Sequence, residues 1–283
     1  MEWIQVSHLW IWALFGLAII AALMSFYYRT LRPVSLGLML VTLLSALVSG
    51  QITLQALVYS AVGLGGAFLL PRFNRDVKKL AWVFLLLWCT ALLLHSVPGF
   101  NNILVLDKVH TGPDSLPFTL YLNLDKPLVF FALWLAQSGL LGDHHQRIRP
   151  VTWLILPGLL ALLPLAWAVG AVQPEWSVPD WLWLFVLNNL LITCVVEEAL
   201  FRGVIQHWLI KIFGSAGGIV LAGALFGLAH MAGGAMLVLF AALAGTGYGL
   251  AYYFSHRLWI AIGFHFLFNL THLVLFTYPA AAG

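Results

Sequence analysis

Apolar residues fall along this chain in long blocks, not in stripes. The blocks run near 9–27, 34–48, 52–70, 80–97, 127–141, 151–172, 181–211, 219–231, 235–254 and 258–278, separated by short clusters of Arg, Lys, Gly, Pro and Asn. A helix needs about 20 apolar residues to cross a bilayer. On that ruler the pattern predicts an all-α fold, a polytopic transmembrane helical bundle of about ten spans. The block at 34–48 is short for a full crossing. The longest break, 98–125, is polar and carries Pro98-Gly99 and Gly112-Pro113, so it reads as a loop. No repeat or soluble domain is visible. The chain reads as one membrane unit, with N-terminal helices over 1–180 and a chemically distinct core over 181–283.

Composition agrees. The sequence is 62% hydrophobic and 8% charged, against about 25% charged in a soluble domain. Such a chain cannot cover a water-facing surface. The first block has no basic stretch before it and no small-residue cleavage site after it, and reads as a retained helix. Cys89 and Cys194 both sit in apolar runs and read as small buried hydrophobes. Scattered basic flanks argue for lipid contact and against nucleic acid.

Charge placement orients the chain. Ten of the 13 Lys and Arg residues fall on one side: Arg29, Arg32, Arg72, Arg75, Lys78, Lys79, Arg147, Arg149, Lys211 and Arg257. The excess of basic residues in cytoplasmic loops puts that side in the cytoplasm and both termini outside. Tryptophans near block ends, among them Trp3, Trp10, Trp12, Trp176, Trp181 and Trp259, suit interfacial anchoring.

The chemistry concentrates in Val195-Val196-Glu197-Glu198-Ala199-Leu200-Phe201-Arg202. Charges in hydrocarbon cost several kcal/mol unless they are paired or line a wet cavity. Glu198 and Arg202 are i, i+4 and share a helix face, so they can pair. Glu197 points about 100° away and is left as a candidate general base. His230 lies 16 residues after Gly214, and Glu197 lies 17 before it. A turn at Gly214 would bring the two to one depth at about 1.5 Å per residue. His265 and Asn269 are again i, i+4 in an otherwise aromatic and aliphatic helix. His272 reads as structural, His95 as interfacial, and the adjacent His144 and His145 as solvated. Asn188 and Asn189 either hydrate a cavity or bond to helix backbone. A base, two imidazoles and an amide inside a membrane suggest hydrolysis. Glu197 with His230 would activate water, and His265 with Asn269 would hold the oxyanion.

Glu-Glu-x-x-x-Arg at Glu197–Arg202, Phe-x-x-x-His at Phe226–His230 and His-x-x-x-Asn at His265–Asn269 resemble the three motifs of the CPBP family. That family takes in CAAX prenyl endopeptidases of the Rce1 type and bacterial Abi proteins. The resemblance covers about 181–278 and the last four helices. It implies an intramembrane endopeptidase with Glu197, His230, His265 and Asn269 catalytic, and Glu198 and Arg202 supporting. It also implies cleavage near the C-terminus of a membrane-anchored or membrane-spanning substrate, in a setting expected to be a bacterial inner membrane. No cofactor or metal is expected. The alternative is a zinc form with Glu197, His230 and His265 as ligands; catalytic zinc takes three protein ligands plus water. A non-proteolytic immunity or scaffold protein is the other alternative. A proton-coupled transporter would show repeats in both halves, whereas the polar groups here stay in the C-terminal third.

Overall fold

The computed structural model describes residues 8–282. The expectations for Trp3 and for the placement of the two chain ends lie outside the described residues. Packing divides the chain into two compact units. The first takes in the chain up to Val105, with Tyr121–Leu141 and Leu191–Val196; the second takes in Leu106–Leu120, Gly142–Leu190 and the chain from Glu197.

The first unit holds Leu9–Met24 (α1), Leu31–Val48 (α2), Leu54–Leu69 (α3), Arg75–Leu93 (α4) and Lys126–Ala136 (α5). Phe15 of α1 stacks on Phe131 of α5 with centroids 5.8 Å apart. Trp88 of α4 stacks on Tyr59 of α3 and donates its indole N–H to the Tyr59 carbonyl at 3.1 Å. The 127–141 block is not the span expected of it. Its helix is 11 residues long, and every residue from Pro127 to Ala136 is buried, which marks a core helix. Asp125 holds its start, accepting from the Lys126 N–H. That carboxylate also bonds His95 at 2.6 Å, so His95 is a structural partner more than an interfacial ring.

The 98–125 loop corrects the all-α expectation. Ile103–Val109 (β1) pairs with Phe118–Leu122 (β2) in a small sheet. Both stretches are rich in aliphatic and aromatic residues, which fit a half-buried pleated surface. Turn residues around them mask that signal in the sequence.

The second unit carries Val151–Leu160 (α6), Leu162–Ala168 (α7), Leu182–Asn188 (α8), Val195–Glu198 (α9, whose first two residues pack with the first unit), His207–Ala229 (α10), Gly234–Ser255 (α11) and Leu258–Leu275 (α12). Among the described residues, six helical stretches are long and apolar enough to cross a membrane: Leu31–Val48, Leu54–Arg72, Val151–Ala168, Leu182–Ala229, Met231–Ser255 and Leu258–Leu275. Leu9–Met24 and Lys126–Ala136 are shorter apolar helices. The 48-residue stretch Leu182–Ala229 is broken at Gly214, where φ is +72°. Only glycine adopts that conformation without strain, so the expected turn falls there.

Gly223 and Gly227, one helical turn apart on α10, let α11 approach closely. A Cβ at Gly227 would stand 2.5 Å from the Val238 carbonyl oxygen and 2.9 Å from the Ala242 nitrogen. Small residues at this spacing are a common way for membrane helices to pack. Backbone cannot yield as a flexible side chain does. Gly227→Val is therefore expected to lower stability by about 1–3 kcal/mol, read as a fall in the thermal midpoint in detergent. A core of Leu159, Phe201, Phe226, Tyr248, Ile260 and Phe264 fills the space among α6, α10, α11 and α12.

The α11–α12 junction is held by Arg257, which donates to the carbonyls of His144, Gln146 and Ser255 at 2.9, 2.9 and 3.1 Å. His256 beside it is half-buried. Burial first, then the charges of Arg149 and Arg257, hold its imidazole below the ordinary value of 6.5, against the opposing pull of Asp143. The folded chain thus binds fewer protons at this site than the unfolded chain. The associated stability is complete above that ordinary value and declines as pH falls through it. Wild type should lose more thermal stability than His256→Asn between neutral and mildly acidic pH, measured by melting both across that range.

Candidate functional site

Helix geometry around the paired carboxylates is irregular. After α8 the chain widens to a π-helix at Asn189–Cys194, tightens at α9, and widens again at Ala199–Gln206. π segments are rare and are frequently found at functional sites. Here two of them bracket Glu197 and Glu198.

Glu198 is fully buried. Its Oε2 accepts from Arg202 Nε at 2.8 Å, the pair that i, i+4 spacing predicts. Its Oε1 meets His265 Nδ1 of α12 at 2.9 Å. With a carboxylate as partner, Nδ1 carries the proton. Glu197 lies on the other edge of the same ring, with its Oε2 4.0 Å from His265 Nε2. The Glu197 side chain is 23% exposed, and its Oε2 is buried with no hydrogen-bond partner among the described residues. Neighbouring glutamates thus take the two edges of one imidazole, and only one of them is bonded.

Arg202 is also fully buried, and its Nη1 and Nη2 have no hydrogen-bond partner among the described residues. Aromatic faces stand in. The guanidinium carbon lies 5.1 Å from the Phe226 ring, 5.8 Å from Phe201 and 5.9 Å from Tyr248. A cation within about 6 Å of an aromatic centroid is attracted by the ring quadrupole.

His230 closes α10. Its Nδ1 donates to the Phe226 carbonyl at 2.8 Å, which leaves Nε2 as an acceptor. Its ring packs 4.7 Å from Phe226, and Phe226 meets His265 edge-on at 5.6 Å. His230 therefore joins the cluster through Phe226. Asn269 donates from Nδ2 to Asn189 Oδ1 at 3.3 Å. His272 bonds the Thr277 carbonyl at 3.1 Å and tethers the end of α12.

Glu198, Arg202 and His265 are thus in direct contact, with Glu197 beside them. Asn269 is met by Asn189, and His230 stands one aromatic ring away. Two partners were not legible as such in the sequence. Asn189 sits in an Asn-Asn pair whose spacing does not point to Asn269. Tyr248 stacks on His265, and its one signal is the glycine-rich run Gly245–Gly249 around it. As for metal ligands, the one group of three His, Cys, Asp or Glu donors within 4.8 Å of one another among the described residues is Asp143, His144 and His145, all exposed. Glu197, His230 and His265 are spaced more widely than that and do not form a ready ligand set.

A family model described as type II CAAX prenyl endopeptidase Rce1-like matches residues 179–271, about a third of the chain. Residues 179–271 are Rce1-like. The match spans all three motifs, from Glu197 to Asn269, and its description names a peptide-bond hydrolase. No curated protein and no solved structure matches the chain. The chain thus combines a segment similar to that endopeptidase family with apolar helices that support an integral membrane protein.

Proposed function

We propose that this protein is an intramembrane endopeptidase that hydrolyses a peptide bond near the C-terminus of a membrane-associated protein or peptide. The observation that carries the reading is the His265 imidazole set between a bonded carboxylate, Glu198, and an unbonded one, Glu197.

Glu197 takes a proton from a water molecule, assisted by the acceptor Nε2 of His230. The hydroxide so formed adds to the scissile carbonyl carbon. Charge develops on the carbonyl oxygen, where Asn269 donates from Nδ2 and His265, in the form that carries protons on both ring nitrogens, donates from Nε2; loss of one such donor typically costs about 10²–10³ in rate. The proton held by Glu197 then passes to the leaving amine as the C–N bond breaks. Products are a new carboxylate and a new amine. Burial of Glu198, Arg202 and His265 in the apolar core keeps their dipoles fixed and strengthens them relative to water.

The test is cleavage in liposomes of a peptide panel containing lipid-anchored and C-terminal-helix members, with products mapped by mass spectrometry. The reading expects a single internal cut that a chelator leaves unchanged. Loss to chelator with recovery on added zinc would support the metal-dependent form, and no cut in any peptide would support a non-proteolytic role.

A further inference from the structure

We infer that Tyr248 of α11 is a positioning residue for His265; the inference rests on the protease reading above. A single hydrogen bond from Nδ1 to Glu198 fixes one direction of the His265 ring and leaves the ring free to roll about that axis. Tyr248 removes the roll. Its ring lies face to face with His265, centroids 4.5 Å apart and planes within 13°. Phe226 meets both rings edge-on, at 5.6 Å from His265 and 6.0 Å from Tyr248. The imidazole plane, and with it the line from Nε2 toward Glu197, is therefore set by two aromatic contacts and one carboxylate.

The helix around Tyr248 is shaped for this contact. Gly247 and Gly249 flank it. A Cβ at Gly249 would stand 2.5 Å from Gln206 Oε1, and one at Gly247 would collide with Leu159. Gln206 uses that space to donate to the Gly249 carbonyl at 3.0 Å. Gly245 in turn faces Phe226, with its Cβ position 3.0 Å from that ring. Small residues thus draw three neighbours onto α11 and leave one large side chain, 1% exposed, pressed on His265. In a close-packed interior with few voids, a side chain held this way keeps one place.

The experiment compares wild type, Tyr248→Phe and Tyr248→Leu in liposomes. It reads kcat and KM on a cleaved peptide, the thermal midpoint, and the ring-proton shifts of ¹³C-histidine-labelled protein, with His265→Gln to assign the signal. Tyr248→Phe keeps the stacked ring and should stay close to wild type in kcat, KM and the His265 ring shifts. Tyr248→Leu should lower kcat about tenfold or more, as small misplacements of reacting groups do, leave KM close to wild type, and move the His265 ring protons downfield as the stacked face is lost. Unchanged kcat and ring shifts in Tyr248→Leu would overturn the assignment, and so would equal loss in Tyr248→Phe. Wild type that cleaves no peptide would count against the protease reading, and the ring shifts alone would then decide the role of Tyr248.

Discussion

Glu198→Leu should leave the protein folded poorly or not at all, and Glu198→Leu combined with Arg202→Leu should fold again without regaining activity. Glu198 and Arg202 are both fully buried and bond at 2.8 Å. Removing one partner of a buried pair strands the other charge, at a cost of about 3–5 kcal/mol. Arg202 makes the penalty heavy, because its two terminal nitrogens have no other hydrogen-bond partner among the described residues. Aromatic faces at 5.1–5.9 Å attract the guanidinium by about 2 kcal/mol or more when desolvated, but they accept none of its N–H hydrogen bonds and so offset the stranded charge only in part. Replacing both by apolar side chains is often neutral, so the double variant should melt near wild type. Activity should stay lost, since His265 would still lack its Nδ1 partner. Thermal melts in detergent with cleavage assays on the same samples check this. Glu198→Leu melting at the wild-type temperature would remove the ion pair from the account.

Glu197→Gln should behave in the opposite way. Its Oε2 has no hydrogen-bond partner among the described residues and its side chain is partly exposed, so the fold does not depend on its charge. Chemistry does, in this reading. A positioned general base contributes about 10²–10⁴ in rate, and the amide cannot take the water proton. The variant should keep its thermal midpoint and its KM and lose kcat by about that factor. A fall in stability comparable to that of Glu198→Leu would show that the two glutamates share a structural job.

Much of this was written in residue type and spacing. Three charges within six residues of an apolar stretch single out the candidate site, because charge there must be paired or line a wet cavity. The i, i+4 rule found Glu198–Arg202, and Gly214 marked the turn between the two legs of the long helical stretch. The rest depended on tertiary partners that no spacing encodes. His265 lies 67 positions from Glu198, and the widened helix on either side of the two carboxylates has no sequence rule of its own. The 127–141 block failed as a span for a physical reason: apolar content reports burial, and protein core buries as well as lipid does. β1 and β2 were missed because Pro and Gly around them spoke for a loop. His95 looked interfacial by position, while its partner, Asp125, lay 30 residues on.

The most direct test compares wild type, Glu197→Gln and Asp76→Asn, an exposed carboxylate on α4 that pairs with Lys79 at 3.9 Å, in one liposome preparation with one membrane-anchored peptide. A Glu197 general base predicts a single C-terminal cut by wild type and by Asp76→Asn at similar rates, and a loss of about 10² or more in folded Glu197→Gln. Cleavage by Glu197→Gln at the wild-type rate would contradict it.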